Sequence, residues 1–426
     1  MMNVAIVDGD VSYPPSSGKR LRTLNLMLRL AGRCRITYIA RCHGGREEMK
    51  RAETFLGDHG ITTHIVDQPL PRKKGVAFYA RLAANLMSPL PYSVASHDCP
   101  LVRQAVQEHE ANGSADLWQF EWTPFLNMLR RPECARRVLM AHNVDSLIWQ
   151  RYHETERHPL KRWYIGGQWR KFERFERRMF AEADCVVTVS EADAALARQR
   201  FGAERVEVVD NGVDSAYFGS VDGLKQPDRV LFLGALDWRP NLDAIQILLD
   251  DIFPAVRAQV PTARLSIVGR SPPEWLRRRV AALDFVDLYA DVADVRPYLG
   301  DCGVMAVPLR IGGGSRLKIL EALASGLPVV STRIGAEGLH LENGRDLTVV
   351  ERTEDIARAL VDCIRSPEEA RRMAEQGRRL VRDRYDWDVL ADKLEAVWER
   401  VTTRKRSFSR DPKGSACEER SPSGRG

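Results

Sequence analysis

Short apolar runs rich in β-branched residues recur along the chain with helical or polar stretches between them. They are "VAIVD" at 4, "ITYIA" at 36, "LWQFE" at 117, "RVLMAHN" at 137, "CVVTVS" at 185 and "VEVVDNGV" at 206. Runs apolar on both faces and separated by helices predict parallel strands buried in a βαβ sheet. After the polar stretch "DSAYFGSVDGLKQPDR" the rhythm restarts with "VLFLGAL" at 230, "RLSIVG" at 264, "VDLYADV" at 286, "CGVMAVPL" at 302, "PVVST" at 328 and "LTVV" at 347. A dozen strands are too many for one sheet, so the pattern predicts two doubly wound α/β domains joined near residues 215–228. The segment "YDWDVLADKLEAVWERV" has helical spacing and precedes a polar tail. Two Rossmann-like domains in tandem are expected to face each other across a cleft, with ligands at the C-terminal strand edges.

The length of 426 residues fits two domains of about 200 residues each, and 44% hydrophobic with 29% charged residues is ordinary globular composition. The eight cysteines stand singly, without a C-x-x-C pair, which predicts reduced thiols in a cytoplasmic setting rather than a disulfide framework or a zinc site. The start "MMNVAIVDGD" lacks a signal-peptide pattern and no eighteen apolar residues run together, so neither secretion nor a membrane span is expected. The net charge of +6 is concentrated: the tail 403–426 carries seven Lys/Arg against three Asp/Glu and reads as a disordered basic segment.

The stretch "IGGGSRLKILEALASGLPVVS", 311–331, follows a strand and opens a helix that Gly326 is expected to stop. A helix N-terminus favours anions, yet Arg316 and Lys318 sit there. Three glycines allow close backbone approach, and Ser315 suits the N-cap. The convergence predicts phosphate or diphosphate binding by Gly313, Gly314, Ser315, Arg316 and Lys318, against the alternative of two solvated cations. Neither the P-loop nor the G-x-G-x-x-G pattern is matched. Glu321, three residues after Lys318, either pairs with it or accepts hydrogen bonds from a ribose diol.

The order of a Gly-rich N-terminal loop, "DNGVD", "LFLGAL" and "PLRIGGGSRLKILEALASGLPVVST" resembles the retaining glycosyltransferases of family 4. The stretches "YPPSSGKRLR" and "LDWRPNLDA" resemble the subset tied to exopolysaccharide assembly. The resemblance implies the α/β GT-B fold, covers the chain to about residue 402, and places the nucleotide-diphosphate sugar on the C-terminal domain and the acceptor on the N-terminal one. Expected limits are 1–220 for the acceptor-side domain, 221–385 for the donor-side domain, 386–402 for a helix returning to the first, and 403–426 for the tail. Glu321 matches the family glutamate that grips the ribose. The family's earlier glutamate falls on Gly313, and its Arg and Lys after the first strand fall on Ala235 and Pro240. Arg316 and Lys318 stand in for those cations, while sugar identity is not inherited.

In "VAIVDGDVSYPPSSGKRLRTLNLMLRLA" the loop before the helix is punctuated by prolines and Gly18, with Lys19, Arg20 and Arg22 beside it. The resemblance makes Gly18 part of a loop closing over the diphosphate; the alternative is an ordinary βα connection. Asp8-Gly9-Asp10 looks like a D-x-D metal motif, but its place at the end of the first strand favours a capping turn, and no metal or cofactor is expected. His142 ends a strand, where it can donate to a sugar hydroxyl or meet charge at the reacting centre, oriented by Asp145. Family members carry a comparable histidine near the donor sugar, which makes His142 the catalytic candidate. Glu121, ending "LWQFE", is the acceptor-side candidate together with Asp145, against the alternative of a structural carboxylate.

From Arg151 to Arg178 nine Lys/Arg stand against four Glu, interleaved with Trp163, Tyr164, Trp169 and Phe172. An exposed, salt-bridged helix is the plain reading; contact with an anionic membrane, aided by "PRKKGVAFYARLAANL", is the next. A nucleic-acid partner is not expected, because the ordered chain is nearly neutral. The function expected is transfer of a sugar from a nucleotide-diphosphate donor to a saccharide or lipid-linked acceptor, in the cytoplasm or at the inner face of its membrane. An epimerase or hydrolase of the same fold, or a non-catalytic nucleotide-sugar-binding scaffold, are the alternatives.

Overall fold

A computed structural model describes residues 1–403 except 114, 131–135, 222, 224 and 312–315. The first sheet contains β1 (Asn3–Asp8), β2 (Arg35–Cys42), β3 (Thr62–Asp67), β4 (Leu117–Phe120), β5 (Arg137–Ala141), β6 (Cys185–Thr188) and β7 (Val206–Val208) in the order β3-β2-β1-β4-β5-β6-β7. The second contains β8 (Gln226–Leu233), β9 (Arg264–Gly269), β10 (Val286–Ala290), β11 (Cys302–Val307), β12 (Val329–Thr332) and β13 (Thr348–Val350) in the order β10-β9-β8-β11-β12-β13. The pairs in the second sheet are parallel, as are those from β3 to β6 in the first. Chain contacts group into two compact units: 1–188, 194–207 and 394 onward form one, and 189–193 with 208–393 form the other.

Eleven of these strands coincide with the apolar runs and β7 with the start of its run, because central strands are buried on both faces: β4, β6 and β12 are buried at every position. The sequence pattern misses β3. It lies at the sheet edge, alternates in burial, and interrupts its apolar residues with threonine and histidine. Each sheet reverses its strand order beside its first strand, at β1/β4 and at β8/β11, and the C-terminal ends of those strands are where ligands bind in this architecture.

The helix Leu317–Ala324 ends as the sequence predicts. Gly326 adopts φ +63°, its N–H bonds to the Leu323 carbonyl, and Leu327 N–H bonds to that of Ala322, which is a Schellman closure. The expected cap Ser315 lies outside the described residues, and the N-cap position falls on Arg316, which makes no capping bond. The last helix, Trp387–Thr403, starts in the second unit and from Leu394 belongs to the first.

Glycine also governs how β8 and β9 end. A Cβ on Gly269 would lie 1.9 Å from the Gly234 carbonyl oxygen. Gly269→Ala therefore forces the two strand ends apart, at a cost of about 3 kcal/mol. The expected outcome is a thermal midpoint lower by roughly 5–10 °C, read by circular dichroism; an unchanged midpoint would show that the backbones separate freely.

Candidate functional site

In the second unit, β8 ends at Leu233, and Gly234 begins the loop leading to the helix Arg239–Ile247. Lys318, in the first turn of Leu317–Ala324, donates Nζ–H to Asn241 Oδ1 at 2.8 Å and lies 4.9 Å from the centre of the Phe232 ring. Asn241 in turn donates to the Ala235 carbonyl at 2.9 Å. A Cβ at Gly234 would fall 2.7 Å from the Lys318 ammonium and 2.8 Å from the Asn241 amide, so glycine makes room for the pair. Lys318 thus reaches the stretch from Ala235, in the loop, to Pro240, in the first turn of the helix, where the resembled family keeps its own cations.

Lys318 is half-buried by surface, but the packing at its ammonium removes water. Burial, with Arg316 nearby, pulls it down to about 7, while Glu321 acts the other way. Burial pushes the Glu321 carboxyl up to about 7 against the pull of Lys318. Among the described residues no side chain or backbone group donates a hydrogen bond to that carboxylate, and Lys318 is its electrostatic partner. Arg316 is placed differently from the expectation of two parallel cations. Its side chain is 7% exposed, donates to the Ile334 carbonyl at 2.8 Å and lies 3.5 Å from Glu337. Gly313 and Gly314 lie outside the described residues, as Ser315 does.

In the first unit His142 directly follows β5, and its Nε2 is 2.8 Å from Glu121 Oε2. The same oxygen accepts from Thr23 Oγ1 at 2.8 Å, and Glu121 Oε1 accepts from Gln119 Nε2 at 2.6 Å. Burial would raise the Glu121 carboxyl, but the bond and charge of His142, with Lys19 and Thr23, outweigh it and bring it down to about 2. An ionised carboxylate only accepts, so Nε2 of His142 carries a hydrogen. Glu121 is 2% exposed with both oxygens occupied. It is therefore a support beneath His142, and the expectation of an acceptor-side carboxylate is corrected. Its position one residue past a strand buried throughout turns it inward.

Asp145 does not orient His142. Its Oδ2 accepts from Trp122 Nε1 at 2.7 Å, and its own N–H, with that of Ser146, donates to the carboxylate of Glu176. Burial pushes Asp145 up to about 6, opposed by the Trp122 bond; burial and then Asp145 push Glu176 up to about 8. Gly18 is the first residue of the helix Gly18–Leu30, capped by Ser17 accepting from Arg20 N–H. Lys19 pairs with Asp8, which also accepts from Tyr38, and Arg20 forks onto Asp10 while reaching Glu48. Both aspartates of the D-x-D sequence are thus held by cations, and among the described residues no cluster of three metal-binding side chains occurs.

Sequence reasoning missed Gly234, Asn241, Thr23, Gln119 and Glu176. A signal existed for Gln119, a polar residue inside an otherwise apolar strand; the others are brought in by tertiary packing. The basic stretch 151–178 lies largely on the helix Pro159–Glu182, whose Phe172, Phe175 and Met179 are buried. Among the described residues two of its nine cations are ion-paired, Arg178 with Glu182 and Arg177 with Glu173, and Glu173 also takes Arg200 from outside the stretch.

Two parallel α/β units, each reversing its strand order beside polar side chains, define the GT-B architecture. A family model described as Glycosyltransferase Family 4 matches residues 18–217, and one described as Glycosyl transferases group 1 matches residues 227–366; the chain is a GT-B glycosyltransferase. A phosphatidyl-myo-inositol mannosyltransferase of Mycobacterium leprae is 31% identical over 51% of this chain and 59% of its own length, short of two thirds. A GDP-mannose-dependent alpha-(1-6)-phosphatidylinositol monomannoside mannosyltransferase of Mycolicibacterium smegmatis is 26% identical over 80% of this chain and 92% of its own. In fold the chain is similar to HepE of Anabaena in complex with UDP and glucose, at TM-score 0.62 and 15% identity over 94% of this chain and 100% of the other. Sucrose-phosphate synthase from Thermosynechococcus elongatus is similar at TM-score 0.65 and 17% identity, over 95% and 100%.

Lys318 titrates near 7 in the fold and near its ordinary 10.5 in the unfolded chain. Between those values the unfolded chain binds more protons, so this group makes stability rise with pH. Thermal melts of wild type and Lys318→Met are expected to show the wild type gaining on the variant from about pH 7 to about pH 10. Parallel curves would mean that the ammonium is not desolvated.

Proposed function

We propose that the protein transfers a sugar, with retention of anomeric configuration and without a metal, from a nucleotide-diphosphate sugar to a saccharide or lipid-linked acceptor in bacterial exopolysaccharide or glycolipid synthesis. The observation that carries this reading is the Lys318 ammonium, held over Phe232 by Asn241 at the β8/β11 strand ends with Glu321 one turn on. A desolvated cation costs free energy in the ligand-free protein, and a diphosphate offsets that cost by a charge-assisted hydrogen bond. In retaining transfer, negative charge builds on the departing diphosphate, so a preplaced cation acts where it is needed. Glu321 takes the ribose hydroxyls, Gly313, Gly314 and Ser315 complete the phosphate cradle, and the helix N-terminus at Gly18 adds to the hold on the donor phosphates. The acceptor is taken by the N-terminal domain, where His142 meets the reacting sugar.

The mannosyltransferase relatives act, by name, on phosphatidylinositol compounds, which favours a lipid-linked acceptor and a place at the cytoplasmic membrane face. The membrane contact sits on the helix Val76–Leu86. Val76 is 87%, Tyr79 68% and Met87 90% exposed. From Gln68 to His97 there is no Asp or Glu, while Arg72, Lys73, Lys74 and Arg81 are present. An apolar face with unopposed cations suits anionic headgroups. No described helix is long and apolar enough to cross a membrane.

A thermal-shift screen over UDP-, GDP- and ADP-sugars is expected to give one clear responder, since bound ligand stabilises by mass action. Lys318→Met is expected to lose at least about 2 kcal/mol of that binding, and His142→Ala to keep binding and lose turnover, read as labelled sugar transferred. Free sugar released without an acceptor would indicate a hydrolase, and binding without any product a scaffold.

Sedimentation with phosphatidylcholine vesicles, with and without phosphatidylglycerol, tests the surface. Wild type is expected to pellet with the anionic vesicles alone and the Lys73→Glu/Lys74→Glu/Val76→Asp variant with neither. Equal behaviour of the two proteins would remove this helix from the membrane contact.

A further inference from the structure

The hydrogen bonds that end on Glu121 start on the last helix of the chain. Trp398, fully buried, donates its indole N–H to Gln119 Oε1 at 2.8 Å across 279 residues of sequence. An indole only donates, so it fixes which end of the Gln119 amide is oxygen. The amide nitrogen then faces the other way and donates to Glu121 Oε1 at 2.6 Å. With that oxygen taken, Glu121 Oε2 receives both Thr23 and His142 at 2.8 Å. Gln119, Glu121 and Thr23 are each 3% exposed or less, so none of these directions is set by solvent. The other ring nitrogen of His142, Nδ1, makes no hydrogen bond to any described residue.

We propose that Trp398 and Gln119 are positioning residues for His142: acting through Glu121, they keep its proton on Nε2 and present Nδ1 as a hydrogen-bond acceptor to a substrate hydroxyl. Two donors arriving on fixed lone pairs leave the carboxylate one orientation, and that orientation selects the tautomer. If the indole is removed, the Gln119 amide is free to turn its oxygen toward Glu121. The carboxylate then rotates and its hold on Nε2–H weakens. Charge on this assembly comes from Glu121 itself and from Asp8 on β1 with its partner Lys19, while His142 is uncharged in the form that presents Nδ1 as an acceptor; Tyr38 on β2 donates to Asp8. Asp145, on the helix that follows, is committed to Trp122. The role assigned to Nδ1 rests on the reading of His142 as the group that meets the substrate; the role assigned to Trp398 and Gln119 does not.

The test is a nitrogen-15 NMR titration of the full-length, histidine-labelled protein from pH 5 to 9, on wild type, Trp398→Phe and Gln119→Met, with kinetics on the same samples. Wild type is expected to hold a single Nε2–H tautomer at His142. Both variants are expected to show mixed tautomers, with kcat about ten-fold lower and KM for the donor within about two-fold. Circular dichroism confirms that each is folded; if Trp398→Phe is not, Gln119→Met decides alone. A folded variant that keeps the wild-type tautomer overturns the proposal. Mixed tautomers with unchanged kcat uphold the positioning chain and instead overturn the assignment of His142 to the reaction.

Discussion

A parallel sheet that grows outward on both sides of its first strand must send successive right-handed crossovers to opposite faces. Where the growth reverses, two loops part and the strand ends between them stay open. This protein does so twice, at β1/β4 and at β8/β11. Asp8 ends β1 and Glu121 follows β4; Gly234 follows β8, and the loop after β11 leads into the helix that carries Lys318. Polar side chains at these places have reason to exist, since the sheet itself leaves them an uncovered edge.

The two edges treat charge in opposite ways. Glu121 is surrounded by donors from Gln119, Thr23 and His142, and its carboxyl is held near 2. Glu321 and Lys318 have one oxygen acceptor, an aromatic ring and each other, and both are pushed toward 7. Enough hydrogen bonds turn a buried carboxylate into a fixed anion; too few leave a pair near neutrality that a ligand's own charge can tip. The carboxylate at the first edge is satisfied by its neighbours' hydrogen bonds, and the pair at the second is not.

The sequence reveals the sheets and the glycine-cation loop because both depend on local pattern: doubly buried apolar runs, a helix opening and a glycine stop. It hides β3, whose edge position breaks the apolar run. It also suggests wrong partners for His142, since nearness along the chain favours Asp145, whereas the fold brings Glu121 from the neighbouring strand and turns Asp145 toward Trp122. Arg316 is a similar case. Position at the helix start aligns it with Lys318, but side-chain reach takes it to Ile334 and Glu337. Spacing along a chain reports which element a residue occupies, and pairings between elements are decided by packing.

The helix that supplies Trp398 enters the first unit only at Leu394, although the rest of that unit is complete by Glu207. Leu394, Val397, Trp398 and Val401 are all buried, and Arg400 reaches back to Glu207. On the ribosome the first sheet therefore emerges without part of its core and stays so while the whole second unit is made. At ~5–20 residues per second that interval is about ten to forty seconds. During synthesis the N-terminal half is an unfinished domain, and emergence of the helix Trp387–Thr403 is the event that closes it.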